Sequence, residues 1–160
     1  MPRQEPPAEA SEESSMGTIR GVNLGGWLVS EPWITPSLFE QAGEGAIDEY
    51  TLCQILGKEA ALARLSTHWA TWITQSDLAN IAASGLSHVR IPIGYWSVAP
   101  ITGDPYVQGA LQYMDRAIEW AGAVGLRVII DLHGGEPTKA SSILSSSLLT
   151  RDSTWLSKRF

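Results

Sequence analysis

Arg127-Val128-Ile129-Ile130-Asp131-Leu132 is a short, mostly aliphatic run with glycines on both sides, Gly125 before it and Gly134-Gly135 after. Its length and its β-branched residues predict a strand. His88-Val89-Arg90-Ile91-Pro92-Ile93 predicts another, with its proline near the end where a strand tolerates it. Further back, Ile19-Arg20-Gly21-Val22-Asn23-Leu24 runs into Gly25-Gly26 and predicts a first strand leading into a loop. The intervals read as helices. Thr35-Pro36 has the form of an N-cap with proline at the first helical position, opening a short helix through Phe39. Leu62, Leu65, Trp69 and Trp72 fall on one face of a helix starting near Lys58. Thr74-Gln75-Ser76-Asp77 has the form of a capping box, and its helix closes at Gly85. Leu111, Met114, Ile118 and Ala121 mark a helix that stops at Gly125. Strand, helices, strand, helix, strand is the order of an α/β protein with a parallel sheet and helices outside it.

Composition narrows the classes of function. The chain has 160 residues, 44% of them hydrophobic, enough for one domain with a real core. A net charge of −6 leaves no basic excess to hold phosphates, which argues against nucleic acid or an anionic membrane as partner. No apolar run approaches the ~20 residues of a membrane helix. Cys53 is the single cysteine, so no intrachain disulfide exists. Seven tryptophans are many for this length, and some are expected at a binding surface. Residues 1–17 hold three prolines and Glu5, Glu9, Glu12 and Glu13 against one Arg3, and predict a disordered acidic tail. This stretch lacks the basic start and apolar core of a signal peptide, so the chain as written is expected in the cytoplasm. After Gly135 the periodicity collapses into a serine-rich stretch, 136–160.

Period-two counting separates polar from apolar faces. His88, Arg90 and Pro92 share one side of the second strand, and Val89, Ile91 and Ile93 the other. On the third strand Asp131 and His133 lie opposite Val128, Ile130 and Leu132. With helices packed on the apolar side, Arg90, Asp131 and His133 gather near the carboxyl ends of adjacent strands, where Asn23 can join them. Two readings fit: a structural ion pair between Arg90 and Asp131, or a pocket wall. The loop Gly25-Gly26-Trp27-Leu28-Val29-Ser30-Glu31-Pro32-Trp33 sets a carboxylate between two indoles. That suits a sugar pocket, because indole faces stack on pyranose rings and carboxylates take pairs of hydroxyls. It equally suits an acidic loop anchored by core tryptophans. His68, His88 and His133 are not at metal-ligand spacing, and no metal site is expected. Dinucleotide, phosphate-loop and serine-elbow fingerprints are absent, so no cofactor is expected.

Arg20-Gly-Val-Asn-Leu-Gly-Gly-Trp27 followed by Glu31-Pro-Trp-Ile-Thr-Pro-Ser-Leu-Phe-Glu40 resembles the start of the fungal exo-β-1,3-glucanases (glucan 1,3-β-glucosidases) of glycoside hydrolase family 5. Asp48-Glu49-Tyr50, Gly57-Lys-Glu-Ala-Ala61, His68-Trp69, Trp72-Ile73, Val89-Arg-Ile-Pro-Ile-Gly-Tyr-Trp96, Asp104-Pro-Tyr-Val-Gln-Gly109 and Asp131-Leu-His-Gly134 continue the resemblance in family order. It implies a (β/α)₈ TIM barrel and a retaining glycosidase that removes terminal glucose from β-1,3-glucan. It implies that Glu31 grips hydroxyls of the terminal sugar and that Trp33 is the aromatic of that subsite. Arg90 matches the arginine beside the nucleophile, and His133 the pocket histidine after the third strand. The partner it implies is a β-1,3-glucan or oligosaccharide, met by a monomer outside the cell or at the wall.

Retaining cleavage needs two carboxyl groups about 5–5.5 Å apart. In the family the acid/base lies in an Asn-Glu-Pro motif after the fourth strand, and the nucleophile follows the seventh. The 160 residues contain no Asn-Glu-Pro, and Glu136-Pro137 follows the third strand directly. A whole barrel takes at least ~200 residues. The expectation is therefore an incomplete barrel over 18–135 with about three strands of eight and no catalytic residue of its own, inactive as written. The family-unlike serine-rich tail 136–160 follows it. Two other readings stay open, a non-catalytic carbohydrate-binding fragment using Trp27, Trp33 and Trp96, and another family 5 β-glucanase.

Overall fold

The computed structural model describes residues 18–133; the expected tails 1–17 and 136–160 lie outside them. Three parallel strands stand in sequence order: β1 (Gly21–Asn23), β2 (His88–Gly94) and β3 (Arg127–His133). Between β1 and β2 run α1 (Pro36–Glu40), α2 (Glu49–Thr71) and α3 (Gln75–Ala83). Between β2 and β3 run α4 (Tyr95–Val98) and α5 (Ala110–Ala123). Parallel neighbours need crossovers, and these helices supply them.

Register confirms the two faces. Asn23 pairs with Arg90, Pro92 with Asp131 and Gly94 with His133, which sets the polar residues on one side of the sheet. On the other side Val89, Ile91 and Ile93 are sealed against the helices, together with Leu65, Trp69, Leu78, Ala110, Met114 and Ala117. Side chains of this size gain roughly 1.5–3 kcal/mol each from full burial, so this layer holds the segment together. β2, the middle strand, is buried along nearly its whole length. β3 has a neighbour on one side only among the described residues, and Ile129 and Ile130 stay 43% and 47% exposed on its opposite faces.

The helices differ from expectation in detail. α2 begins at Glu49, where Asp48 and Thr51 form a reciprocal capping box, with the Thr51 amide donating to Asp48 Oδ1 at 2.8 Å. Gly57 takes φ +71° and breaks the helix, so the spacing around Lys58 reports only the second half, 58–71. Within that half the buried residues are Ala61, Leu65, His68 and Trp69, whereas Leu62 and Trp72 are exposed. On α5 the buried face is Ala110, Tyr113, Met114, Ala117 and Ala121, with Leu111 and Ile118 half-buried at its margin. Thr35 precedes Pro36 as expected, but its hydroxyl donates back to the Glu31 carbonyl instead of capping α1. At α3 the Asp77 carboxylate does reach back, taking the Thr74 amide at 2.8 Å.

Candidate functional site

The first element of the site is the loop after β1. The Leu24 amide donates to the Arg90 carbonyl at 2.9 Å, and Leu28 forms a bridge with Ile93, so the chain touches β2 at two points. Gly25-Gly26-Trp27 bows out between them. The end of α2 and its C-cap residue hold this bow through three hydrogen bonds. His68 Nε2 lies 2.6 Å from the Gly26 carbonyl oxygen. Trp72 Nε1 donates to the Gly25 carbonyl at 3.2 Å, and Trp27 Nε1 donates to the Trp69 carbonyl at 2.8 Å. A carbonyl only accepts, so His68 carries its proton on Nε2, and burial holds its pKa below the ordinary histidine value.

Glu31 sits where this loop turns. One carboxylate oxygen, Oε2, takes the Gly26 amide at 2.9 Å. The Glu31 carbonyl accepts from the amides of Ile34 and Thr35 at 2.9 and 2.8 Å. Gly25 lies between Glu31 and Asn23: a methyl group there would stand 3.0 Å from Asn23 Nδ2 and 3.4 Å from Glu31 Oε2. The Glu31 carboxylate and the Asn23 amide therefore flank the same α-carbon.

From Asn23 the polar chain continues over the sheet. Arg90 Nη1 donates to Asn23 Oδ1 at 2.6 Å and Nη2 to Asp131 Oδ2 at 2.6 Å. His133 Nδ1 lies 2.8 Å from the same Asp131 oxygen. An ionised carboxylate has no proton to give, so His133 Nδ1 is protonated and Nε2 is left for another partner. These groups are open to solvent, with side-chain exposures of 40% for Arg90, 31% for Asp131 and 46% for His133. Bonds of this kind orient the side chains more than they stabilise the fold.

Of the residues expected from sequence, Arg90, Asp131, His133 and Asn23 come together on one face, and the Glu31 carboxylate lies beside Gly25, next to Asn23. Trp33 is 77% exposed and makes none of the ring contacts among the described residues. Trp27 and Trp96 are buried, at 0% and 4% exposure, each indole spending its N–H inside the protein. This overturns a carbohydrate-binding surface built on Trp27, Trp33 and Trp96: two of the three rings are core. Sequence reasoning missed two residues. His68 looked like an isolated histidine, yet it clamps the glycine loop. Glu49 has no role by sequence beyond the Asp48-Glu49-Tyr50 motif, yet its carboxyl is buried between Ser30 and Trp96. The only local sign of either was its place in the motifs around it.

Comparison with known proteins bears on the family and the fold. The family model described as Cellulase (glycosyl hydrolase family 5) matches residues 53–160, a span that runs on past the described residues. A protein named "Probable glucan 1,3-beta-glucosidase A" from Aspergillus niger is 61% identical over 127 residues, covering 79% of this chain and 30% of its own length. "Glucan 1,3-beta-glucosidase" from Blumeria graminis is 62% identical over 118 residues, covering 72% of this chain and 28% of its own. Among solved structures, rutinosidase from Aspergillus niger superposes with a TM-score of 0.67 at 32% identity, over 72% of this chain and 32% of that one. AoRut gives a TM-score of 0.69 at 32% identity, over 75% of this chain and 34% of its own. The chain thus spans about 30% of the length of the curated relatives it matches. Three parallel strands, helices packed on their apolar face, a polar cluster at the strand ends and the family match lead to one assignment: the chain belongs to glycosyl hydrolase family 5 and forms part of its α/β barrel.

Proposed function

We propose that Glu31, Asn23, Arg90, Asp131 and His133 form the hydroxyl-gripping wall of a glucose site. The protein is a glucan 1,3-β-glucosidase that releases terminal glucose from β-1,3-glucan with retention. The observation that carries this is the bonded run from Asn23 through Arg90 and Asp131 to His133, with the Glu31 carboxylate beside the same glycine, Gly25, as the Asn23 amide. Glu31 commits Oε2 to Gly26, and among the described residues nothing donates to Oε1, which is left to accept a sugar hydroxyl. His133 Nε2 offers a second hydrogen-bonding point. Trp33 is exposed two residues from Glu31 and supplies a face for a pyranose ring.

These residues bind but do not cleave. Asp131 is shared between Arg90 and His133, and Glu31 holds the Gly26 amide through Oε2, which suits both to holding and orienting rather than to bond breaking. The bond-breaking carboxylate pair belongs, on this reading, to other barrel strands. Relatives named for glucan 1,3-β-glucosidase share 57–64% identity, against 32% for the rutinosidase structure, which favours the glucan substrate over another family 5 activity. Such a substrate places the protein outside the cell or at the wall. The test is titration with glucose, laminaribiose and cellobiose, followed by NMR of the Gly26 amide and the Arg90 and His133 side chains. Shifts at these groups with laminaribiose, weakened at least about tenfold by Glu31→Ala, support the site. Identical response to all three sugars, or none at Glu31, Arg90 and His133, removes it.

A further inference from the structure

We propose that Glu49 is a positioning residue for Glu31: its buried carboxyl fastens the loop that carries the sugar-facing carboxylate to the end of β2. This rests on the glucose-site reading above.

Glu49 stands in the first turn of α2 and is 3% exposed. Burying a carboxyl away from water costs several kcal/mol unless its oxygens are matched by donors. Both oxygens are matched, and by different parts of the chain. Oε2 takes the Ser30 amide at 2.7 Å, and Oε1 takes the Trp96 indole N–H at 2.9 Å. Ser30 directly precedes Glu31, and Trp96 lies two residues past the end of β2.

Trp96 is itself packed between two aromatic rings. Its ring stacks on Tyr106 at 4.0 Å with 3° between planes, and Tyr95 meets it edge-on at 5.3 Å. The Glu31 backbone is therefore held from the N-terminal side by Glu49 on a packed indole, and from the C-terminal side by the amides of Ile34 and Thr35 on its own carbonyl.

No cation neutralises Glu49 among its described partners. The ionisable groups around it are Asp48, the N-cap residue just before it, Cys53 one turn further along α2, and Tyr106 from the α4–α5 connection. Burial pushes Glu49 up to about 7, against the pull of the Ser30 and Trp96 bonds. Protonation puts a hydrogen on one of the two oxygens that both face donors, so the double fastening belongs to the carboxylate. Glutamine has the same shape but turns an NH₂ toward one donor.

The experiment is NMR of the 160-residue chain and its Glu49→Gln variant, with laminaribiose titration of both. The Gly26 amide, bonded to Glu31, reports where that carboxylate sits. The expected result is at least about tenfold faster Gly26 exchange and about tenfold weaker laminaribiose binding in the variant, while Val89 and Ile91 keep their protection. Unchanged Gly26 exchange overturns the inference. A parent chain that ignores laminaribiose removes the glucose-site reading, and Gly26 exchange still decides the role of Glu49. If the variant loses protection at Val89 and Ile91, the pH titration of the parent decides. Gly26 and Trp96 indole signals moving with one midpoint support the fastening, and a stationary Gly26 signal overturns it.

Discussion

Arg90 reaches Asp131 diagonally across β2 and β3. The register sets Asp131 opposite Pro92, yet Arg90 Nη2 donates to Asp131 Oδ2 at 2.6 Å. Proline offers Asp131 nothing to bond, and the long arginine leans along its strand to take the place. The same oxygen receives His133, so one carboxylate aligns two partly exposed side chains, Arg90 being held by Asn23 as well.

Replacing that carboxylate should separate orientation from stability. Asp131→Asn keeps the shape and removes the charge. The pair is more than a third exposed on the arginine side, so the loss of fold stability should stay under about 1 kcal/mol. Laminaribiose affinity should fall about tenfold as Arg90 and His133 lose their shared anchor. Thermal melts and sugar titration of one sample measure both; a large drop in melting temperature with unchanged affinity would contradict the assignment.

His68 should matter to stability in a pH-dependent way. His68→Phe keeps a ring in the core but strands the Gly26 carbonyl, at a cost of about 1–3 kcal/mol. Burial depresses the folded pKa of His68 below the ordinary 6.5. As pH falls below 6.5 the unfolded chain takes up a proton that the folded chain refuses, so the stability His68 contributes declines. Glu49 acts with the opposite sign: its folded pKa is raised from 4.5 to about 7, so its contribution is lost as pH rises through 7. Comparing parent and His68→Phe in identical buffers cancels Glu49, and the gap between them should shrink from pH 7.5 to 5.5. A constant gap would falsify the buried neutral histidine.

Gly94 should tolerate nothing larger. A methyl there would lie 2.2 Å from Trp96 Cε2, inside the indole itself. Gly94→Ala must push the ring off Tyr106 and away from Glu49, and overpacking of this kind costs about 1–3 kcal/mol. A drop in melting temperature together with a changed near-ultraviolet signal from Trp96 is expected. A variant as stable as the parent, with that signal intact, speaks against the stacking described.

The 160-residue polypeptide should not release glucose from laminarin above background. On the proposed reading its site supplies hydroxyl-gripping groups without the carboxyl pair, and general acid–base catalysis by a placed carboxyl alone supplies about 10²–10⁴-fold. Joining residues 18–133 to the remaining strands of a homologous barrel should restore turnover. Activity of the unmodified chain that survives repurification and disappears in Glu31→Gln would show that Glu31 does chemistry after all.

Strand periodicity was open to reading because it is local. Alternation along His88–Ile93 and Arg127–Leu132 states which side chains share a face, whatever the strands pack against. The capping box at Thr74 acts within one turn, and the motifs from Arg20 to Gly134 carried the family. Those features determined the parallel α/β order and placed Arg90, Asp131 and His133 on one wall. Helical spacing misled at Leu62 and Trp72, because period 3.6 names a stripe without saying how wide the neighbouring layer is.

Only the folded chain decided which polar groups lie inside. Glu49 to Trp96 is a bond over 47 residues, and His68 to Gly26 one over 42. Nothing local marks such partners, since a buried carboxyl and a solvated one are the same letter. Their burial exists only once α2 packs across the β1 loop and β2. Desolvation then makes each unmatched donor or acceptor costly enough to dictate who bonds to whom.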